Sequence, residues 1–140
     1  MTDKFRGNIF QDDTFVYTGA DGLVIEELLT LENRSEENVV LVYIKIQGQD
    51  WQQYFLDVGI GFWQNYENIN PWDEVDEEYQ LIDKALEFGI KHKKIQKIWC
   101  EPNENNSQIT IEFDSNERII LKTREPKIFD SNCELILIKP

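Results

Sequence analysis

Apolar residues recur at every second position through much of this chain, and this alternation is the feature that most narrows the folds open to it. In "VVLVYIKI", residues 39–46, apolar side chains fall on both faces of an extended chain, as is typical of a strand in the middle of a sheet. The segment "TFVYTGADGLVIEELLTL", residues 14–31, indicates two more strands around a glycine-containing turn at 20–22. The first part of the chain is therefore predicted to be mainly β.

The C-terminal third shows the same alternation in four short segments: "KIQKIWC", "SQITIEF", "RIILKTR" and "CELILIK". Polar stretches rich in Asn, Asp and Ser, such as "EPNENNS" and "DSNE", separate the first three. Short strands with short polar connections favour an antiparallel meander. The lack of alternating helices argues against a parallel α/β sheet.

Between these regions, "WQQYFLDVGIGFW", residues 51–63, is predicted to be one strand paired with residues 39–46. Its alternating apolar residues would share one face: Tyr54, Leu56, Val58, Ile60 and Phe62. Gly59 and Gly61 would fall on the other face, where a backbone, a ring or a ligand can approach closely.

One helix is predicted, over residues 71–88. Asn70 is a suitable N-cap, Pro71 suits the first helical position, and Gly89 is a suitable C-terminal stop. The basic residues of "KHKK", 91–94, would complement the negative end of the helix dipole. A stripe with spacings of three and four residues should pack on the sheet: Trp72, Val75, Tyr79, Ile82 and Leu86.

These patterns together predict an α+β protein: a single domain over 1–140, with a mainly antiparallel meander of about seven to eight strands and the helix near 71–88 packed on it. Cys100 and Cys133 are too few for a disulfide framework. The N-terminal "MTDKFRGNIF" has no apolar signal region, and the longest apolar run is too short to span a bilayer. A cytosolic protein without a membrane partner is therefore expected.

The formal net charge of −13 is the strongest deviation in composition. Residues 1–90 hold 19 Asp and Glu but 5 Lys and Arg, whereas residues 91–140 hold 8 and 9, so the whole excess lies in the first two-thirds. An acidic surface repels phosphate backbones, which argues against nucleic acid and in favour of a basic protein as the partner.

The acids are densest in "NINPWDEVDEEYQ", residues 68–80, and its flanks. Helix initiation accounts for Asp73 and Glu74 but not for Glu77 and Glu78, because the dipole effect fades after the first turn. Like charges three and four residues apart cost a few tenths of a kcal/mol each, which suggests that the field serves a partner. Trp and Tyr dominate binding energy at protein interfaces. The predicted partner-binding residues combine both types: Trp63, Tyr66, Glu67, Trp72, Asp73, Glu74, Asp76, Glu77, Glu78 and Asp83.

Catalytic and metal chemistry is expected to be absent. His92 is the one histidine of the chain and lies in a basic stretch, so no nucleophile–histidine arrangement suggests itself. "DEVDEE" offers oxygen ligands, but a helix would spread them around its axis, and the Asp-x-Asp-x-Asp-Gly spacing of a calcium loop is missing. We therefore expect neither an enzyme, nor a metal site, nor a cofactor.

In size, in acidity and in the local character of "NYENINPWDEVDEEY", the chain resembles bacterial immunity proteins, the antidotes of polymorphic and contact-dependent growth-inhibition toxins. The resemblance implies a small cytosolic protein that binds a cognate basic toxin, such as a nuclease, and covers its active site. The acidic helix would then stand in for a nucleic-acid phosphate.

The alternative from the same residues is a small-ligand binding module or a β-rich scaffold protein without catalytic activity. A curved sheet carrying Gly59, Gly61, Tyr54, Phe62 and Trp99 would enclose an apolar pocket.

Overall fold

The computed structural model describes residues 5–12, 14–36, 38–57, 60–66, 70–103, 106–124 and 133–140. These residues form eleven strands in two antiparallel sheets, with one short α-helix and one 3-10 helix. The sheets face each other across a shared core, so the described fold is an all-β sandwich. The predicted α+β class with one meandering sheet is wrong.

The first sheet has six strands in the spatial order β1-β6-β5-β4-β3-β7. Their bounds are β1 Phe5–Asp12, β3 Ile25–Asn33, β4 Val39–Ile46, β5 Trp51–Asp57, β6 Ile60–Tyr66 and β7 Tyr79–Asp83. The predicted central position of residues 39–46 is confirmed, because β4 has a strand on either side and buried apolar side chains on both faces.

The second sheet has five strands in the order β11-β10-β9-β8-β2. Their bounds are β2 Phe15–Tyr17, β8 Ile95–Asn103, β9 Asn106–Phe113, β10 Arg118–Thr123 and β11 Cys133–Ile138. The last four strands pair in chain order, each antiparallel to the next, so the meander predicted for the C-terminal third is confirmed.

The core lies between the inner faces of the two sheets. Strands β4, β5 and β6 approach β9, β10 and β11 across it. Alternate residues of each strand point inward, as in Val42, Ile44 and Ile46 of β4. The opposite face of the first sheet carries a second, smaller apolar cluster around Leu29, Leu31 and Tyr43. The first sheet therefore buries apolar side chains on both of its faces.

An aromatic stack and a polar network join the sheets at the core. Trp63 of β6 stacks on Tyr54 at a centroid distance of 4.6 Å and on Tyr17 of the second sheet at 5.2 Å. The Trp63 Nε1–H group donates to Gln52 Oε1 at 2.7 Å, and Gln52 Nε2 donates to the Tyr17 hydroxyl at 3.1 Å. Since buried polar groups cost free energy unless they are paired, this network lets Trp63 and Gln52 lie inside the sandwich.

The predicted helix over 71–88 is not formed. The chain has a 3-10 helix at Pro71–Glu74, strand β7 at Tyr79–Asp83 and a five-residue helix, α1, at Lys84–Phe88. The predicted capping residues are confirmed, since Asn70 Oδ1 accepts from the Trp72 N–H and Gly89 ends α1 in the left-handed conformation with φ +66°. Asp83 caps the N-terminus of α1 instead, which divides the region into two short helices.

Pairing with β3 explains why residues 79–83 are extended. Leu81 lies opposite Leu31, and Tyr79 and Leu81 pack on the outer apolar cluster of the first sheet. In a segment as short as five residues, an apolar pattern fits a helix and a strand almost equally well. The spacing of three and four residues therefore does not by itself distinguish a helix from a strand here. Leu86 of that stripe is 78% exposed. Long-range pairing outweighs the local helical pattern here.

The predicted single strand over 51–63 is two strands. Asp57 pairs with Ile60, so the chain reverses between them and Phe55 lies opposite Phe62. Tyr54 and Leu56 consequently face the core, while Ile60 and Phe62 face outward. Val58 and Gly59 lie outside the described residues. Because side chains alternate along a strand, the reversal puts Ile60 and Phe62 on the face opposite to Tyr54 and Leu56, although all four were predicted to share one face.

Both cysteines are buried on the inner face of the second sheet and form no disulfide. Cys100 on β8 and Cys133 on β11 are separated by three strand spacings, about 14 Å. A disulfide requires Cα atoms within about 7 Å, so these cysteines do not bridge. Among the described residues, no helix is long and apolar enough to cross a membrane.

Candidate protein-interaction surface

Residues 72–78, "WDEVDEE", form a stretch that we term the acidic segment, and all seven residues are exposed. The 3-10 helix turns its first part, and an Asp76 turn shapes its last part. Asp76 Oδ1 accepts from the Glu78 N–H at 2.7 Å and from the Tyr79 N–H at 2.9 Å. These local hydrogen bonds satisfy the backbone, as short Asx turns do, and leave the other side chains directed to solvent.

Apolar residues are exposed within the same segment. Trp72 is 60% exposed and Val75 is 37% exposed, although both had been predicted to pack on the sheet. Pro71, next to Trp72, is buried and anchors the start of the segment. An exposed Trp among carboxylates differs from the usual location of this residue, and it provides a large contact area at low cost in side-chain entropy.

Among the described residues, no cation forms an ion pair with a carboxylate of the acidic segment. Ion pairs within the described part of the chain lie elsewhere: Lys45–Glu26, Lys84–Glu32, Lys84–Glu87, Lys93–Glu117 and Arg118–Glu112. Arg34 contacts the segment through its backbone, since its Nε–H donates to the main-chain carbonyl of Asp76 at 3.1 Å. Five carboxylates in seven residues thus lack an ion-pair partner among the described residues.

Topology brings further acids to the same end of the first sheet. Asn33 pairs with Tyr79, which places the turn after β3, with Glu36, beside the end of the acidic segment. Strands β1 and β5 also end on this side, at Asp12 and Asp57. No local pattern in the sequence indicates that positions so far apart lie at one end of the sheet, because only strand pairing brings them together.

The pKa of the Tyr79 hydroxyl is raised by the negative charges at this end. Glu78 raises the pKa of the Tyr79 hydroxyl, chiefly by its negative charge and also by a hydrogen bond, and Asp76 and Glu36 raise it further. A tyrosinate beside carboxylates is disfavoured by like-charge repulsion. Tyr79 was not among the predicted binding residues, and it belongs to this surface.

The basic residues 91–94 lie at the opposite end of the sandwich. Lys94 bridges to Val24, and the His92 N–H donates to the carbonyl of Ile25, the first residue of β3. Residues 25 and 33 are about 26 Å apart along an extended strand, well beyond the Debye length in physiological salt. The acidic segment and this basic stretch therefore lie at opposite ends of the first sheet.

The predicted partner-binding residues separate into four groups. Trp72, Asp73, Glu74, Asp76, Glu77 and Glu78 are together in the acidic segment. Asp83 is exposed at the far end of β7, where its Oδ1 accepts from the Leu86 N–H at 3.0 Å. Trp63 is only 1% exposed and belongs to the core, so its predicted contact role is wrong. The Tyr66 side chain and Glu67 lie outside the described part.

The residues of the predicted apolar pocket do not converge. Tyr54 lies in the core against Trp63. Phe62 faces outward from the first sheet and stacks on Phe55, whereas Trp99 faces outward from the second sheet with Lys97 and Arg118 over its ring. Three different faces therefore hold these rings, so they do not line one shared pocket.

Within the described ranges, no group of three or more His, Cys, Asp or Glu side chains is arranged to hold a metal ion. The exposed acids are spread along a turn rather than directed at one point. What the arrangement offers is an extended acidic surface with an exposed aromatic ring.

No family model matches the chain, and no curated protein or solved structure is significantly similar to it. The described residues define an all-β sandwich of two antiparallel sheets, with an acidic segment that carries the exposed Trp72 at one end.

Proposed function

We propose that the protein is an acidic binding protein that neutralises a basic bacterial toxin, a nuclease, by covering its cationic active site with the acidic segment. One observation carries the proposal: five exposed carboxylates share one short segment with an exposed Trp72, and the described residues provide none of them with an ion-pair partner. Such a surface is complementary to a site built to bind nucleic-acid phosphate.

In this proposal, electrostatic attraction affects the association rate and buried contact area affects the dissociation rate. Complementary charge accelerates association by about 10- to 1000-fold over a neutral pair, and salt screens the effect. Trp72 supplies short-range contact, which slows dissociation. An antidote needs both properties, because it has to reach its toxin before damage accumulates and then remain bound.

Coexpression tests the proposal. An antidote is expected to be encoded next to its toxin. The probe is therefore the C-terminal domain of the protein encoded immediately upstream, and its expression is induced in cells with and without this protein. We expect growth to be restored by the wild-type chain, and the purified domain's nuclease activity to be inhibited at equimolar concentration. A variant with Glu77→Lys and Glu78→Lys should protect poorly.

Two results would reject the proposal. One is a nuclease that stays fully active at saturating concentrations of the protein. The other is an upstream gene that encodes a metabolic enzyme and no secreted toxin, which would remove the expected partner.

A further inference from the structure

A band of apolar side chains extends across the outer face of the first sheet from the end that carries the acidic segment. Leu81 lies opposite Leu31 and Leu31 lies opposite Leu41, while Phe55 lies opposite Phe62. Val42 pairs with Tyr54 in antiparallel register, so Leu41, one residue before Val42, lies opposite Phe55, one residue after Tyr54. We term the partly exposed members the apolar band: Leu41, Phe55, Ile60, Phe62, Tyr79 and Leu81.

One member of the band, Ile60, is exposed, and the others are half-buried. Phe55 and Phe62 stack nearly parallel at a centroid distance of 4.8 Å, and Leu41, Tyr79 and Leu81 pack on the buried cluster beneath them. Ile60, at the end of the band, is 41% exposed. Contiguous exposed apolar surface of this kind marks interaction sites more often than isolated surface residues do.

The width of the apolar band is compatible with the footprint of one standard protein–protein interface. From β7 to β6 the band covers four strand spacings, about 19 Å. A standard interface buries about 800 Å² on each partner, a footprint roughly 30 Å across. The band and the acidic segment, which meet at Tyr79, thus fit under one protein partner.

The charged residues beside the apolar band indicate which kind of partner is complementary to it. Asp76, Glu78 and Glu36 border it at Tyr79, and none of the three has an ion-pair partner among the described residues. A second copy of this chain would bring the same acids face to face, and like charges across an interface cost several kcal/mol. A partner with a cationic rim around an apolar centre is complementary.

We infer that the apolar band is the docking face for the apolar residues of the basic toxin, with the acidic segment as its charged rim. This inference rests on the proposed function and adds the short-range contact surface to it. It also assigns different kinetic roles, because apolar contacts form after the charged encounter and should affect dissociation rather than association.

Surface-binding kinetics with the upstream-encoded toxin domain, in a catalytically inactive form, test the inference. Ile60→Ser should raise koff about tenfold and leave kon within twofold, as expected for the loss of one buried aliphatic side chain. Ile138→Ser is the matched control, because Ile138 is 43% exposed on the outer face of the second sheet. That variant should leave both rate constants unchanged.

A photo-crosslinking amino acid at either position gives an independent readout. At position 60 it should form an adduct with the toxin domain, and at position 138 it should form none. Thermal melts of both Ser variants should show that neither is unfolded, since both sites are exposed.

The outcomes separate the two proposals. A complex whose koff is unchanged by Ile60→Ser, with no adduct at position 60, overturns the docking face and leaves the proposed function standing. The same holds if the wild-type chain dimerises in sedimentation and Ile60→Ser abolishes the dimer without affecting the toxin. No complex with the toxin domain overturns both.

Discussion

Arg34 donates from Nε to the main-chain carbonyl of Asp76 at 3.1 Å, and its Nη1 donates to Gln80 Oε1 at 3.5 Å. Arg34 therefore holds the backbone of the acidic segment and forms no ion pair with the carboxylates of the segment. The arrangement fixes the position of the acids and leaves their charge available.

Charge reversal at the acidic segment should slow association. We expect Glu77→Lys with Glu78→Lys to lower kon for the toxin domain by about 10- to 100-fold at low ionic strength, with the difference shrinking as salt is raised. The matched control reverses Asp50 and Asp114, two exposed acids at the opposite end of the sandwich. Equal effects of the two double variants would show that net charge alone matters.

The two tryptophans at positions 63 and 72 should behave in opposite ways. Trp63→Ala removes a ring stacked between two tyrosines and should lower the free energy of unfolding by about 3–5 kcal/mol. Trp72→Ala should change it by less than about 0.5 kcal/mol, yet weaken toxin binding by about 2 kcal/mol. Urea denaturation and binding titrations provide both numbers. Strong destabilisation by Trp72→Ala would contradict its exposure.

Gln52 should matter for stability through its hydrogen bonds. Gln52→Leu leaves the buried Trp63 Nε1–H group without its acceptor, which should cost about 1–3 kcal/mol of unfolding free energy in urea denaturation. Gln108→Leu is the control, because that side chain is only partly buried and donates to Glu101 near the surface. Its effect should stay within about 0.5 kcal/mol.

The pKa of Tyr79 should report the acidic field directly. Glu78 is the main cause of its rise, so Glu78→Gln should lower the pKa of Tyr79 toward the ordinary tyrosine value, and Glu77→Gln should change it less. Because the folded-state pKa is raised, the associated stability is present below the ordinary tyrosine pKa and is lost as pH rises through the folded-state value. NMR titration of the tyrosine ring carbons measures the shift. An unchanged pKa in Glu78→Gln would mean that Glu78 does not face the hydroxyl.

The end of α1 depends on a left-handed residue. Gly89→Ala should destabilise the protein by about 1 kcal/mol, because Gly89 has φ +66° and an added Cβ is strained there although space is open around it. Gly89→Asn should cost less, since Asn tolerates this conformation better. Thermal denaturation of the two variants distinguishes backbone strain from crowding, which would penalise the larger Asn more.

The sequence by itself determined the strands and the charge. Alternating apolar residues over 39–46 and through the C-terminal third specify extended segments with defined buried faces, because a period of two cannot be satisfied by a helix. Asn70 and Gly89 act as caps in the structure as their local chemistry predicts. The acidity of the first two-thirds is a property of composition and is independent of the fold.

Only the tertiary structure decided which aromatic residues are exposed and where the acids gather. Residues 79–83 become a strand because β3 offers them hydrogen-bonding partners about fifty residues away in sequence, which no local pattern records. Pairing of Asp57 with Ile60 directs Phe62 outward and Trp63 into the core. The candidate surface is built from contacts between distant segments, and the free energy of those contacts outweighs the few tenths of a kcal/mol per residue that local helix propensity supplies.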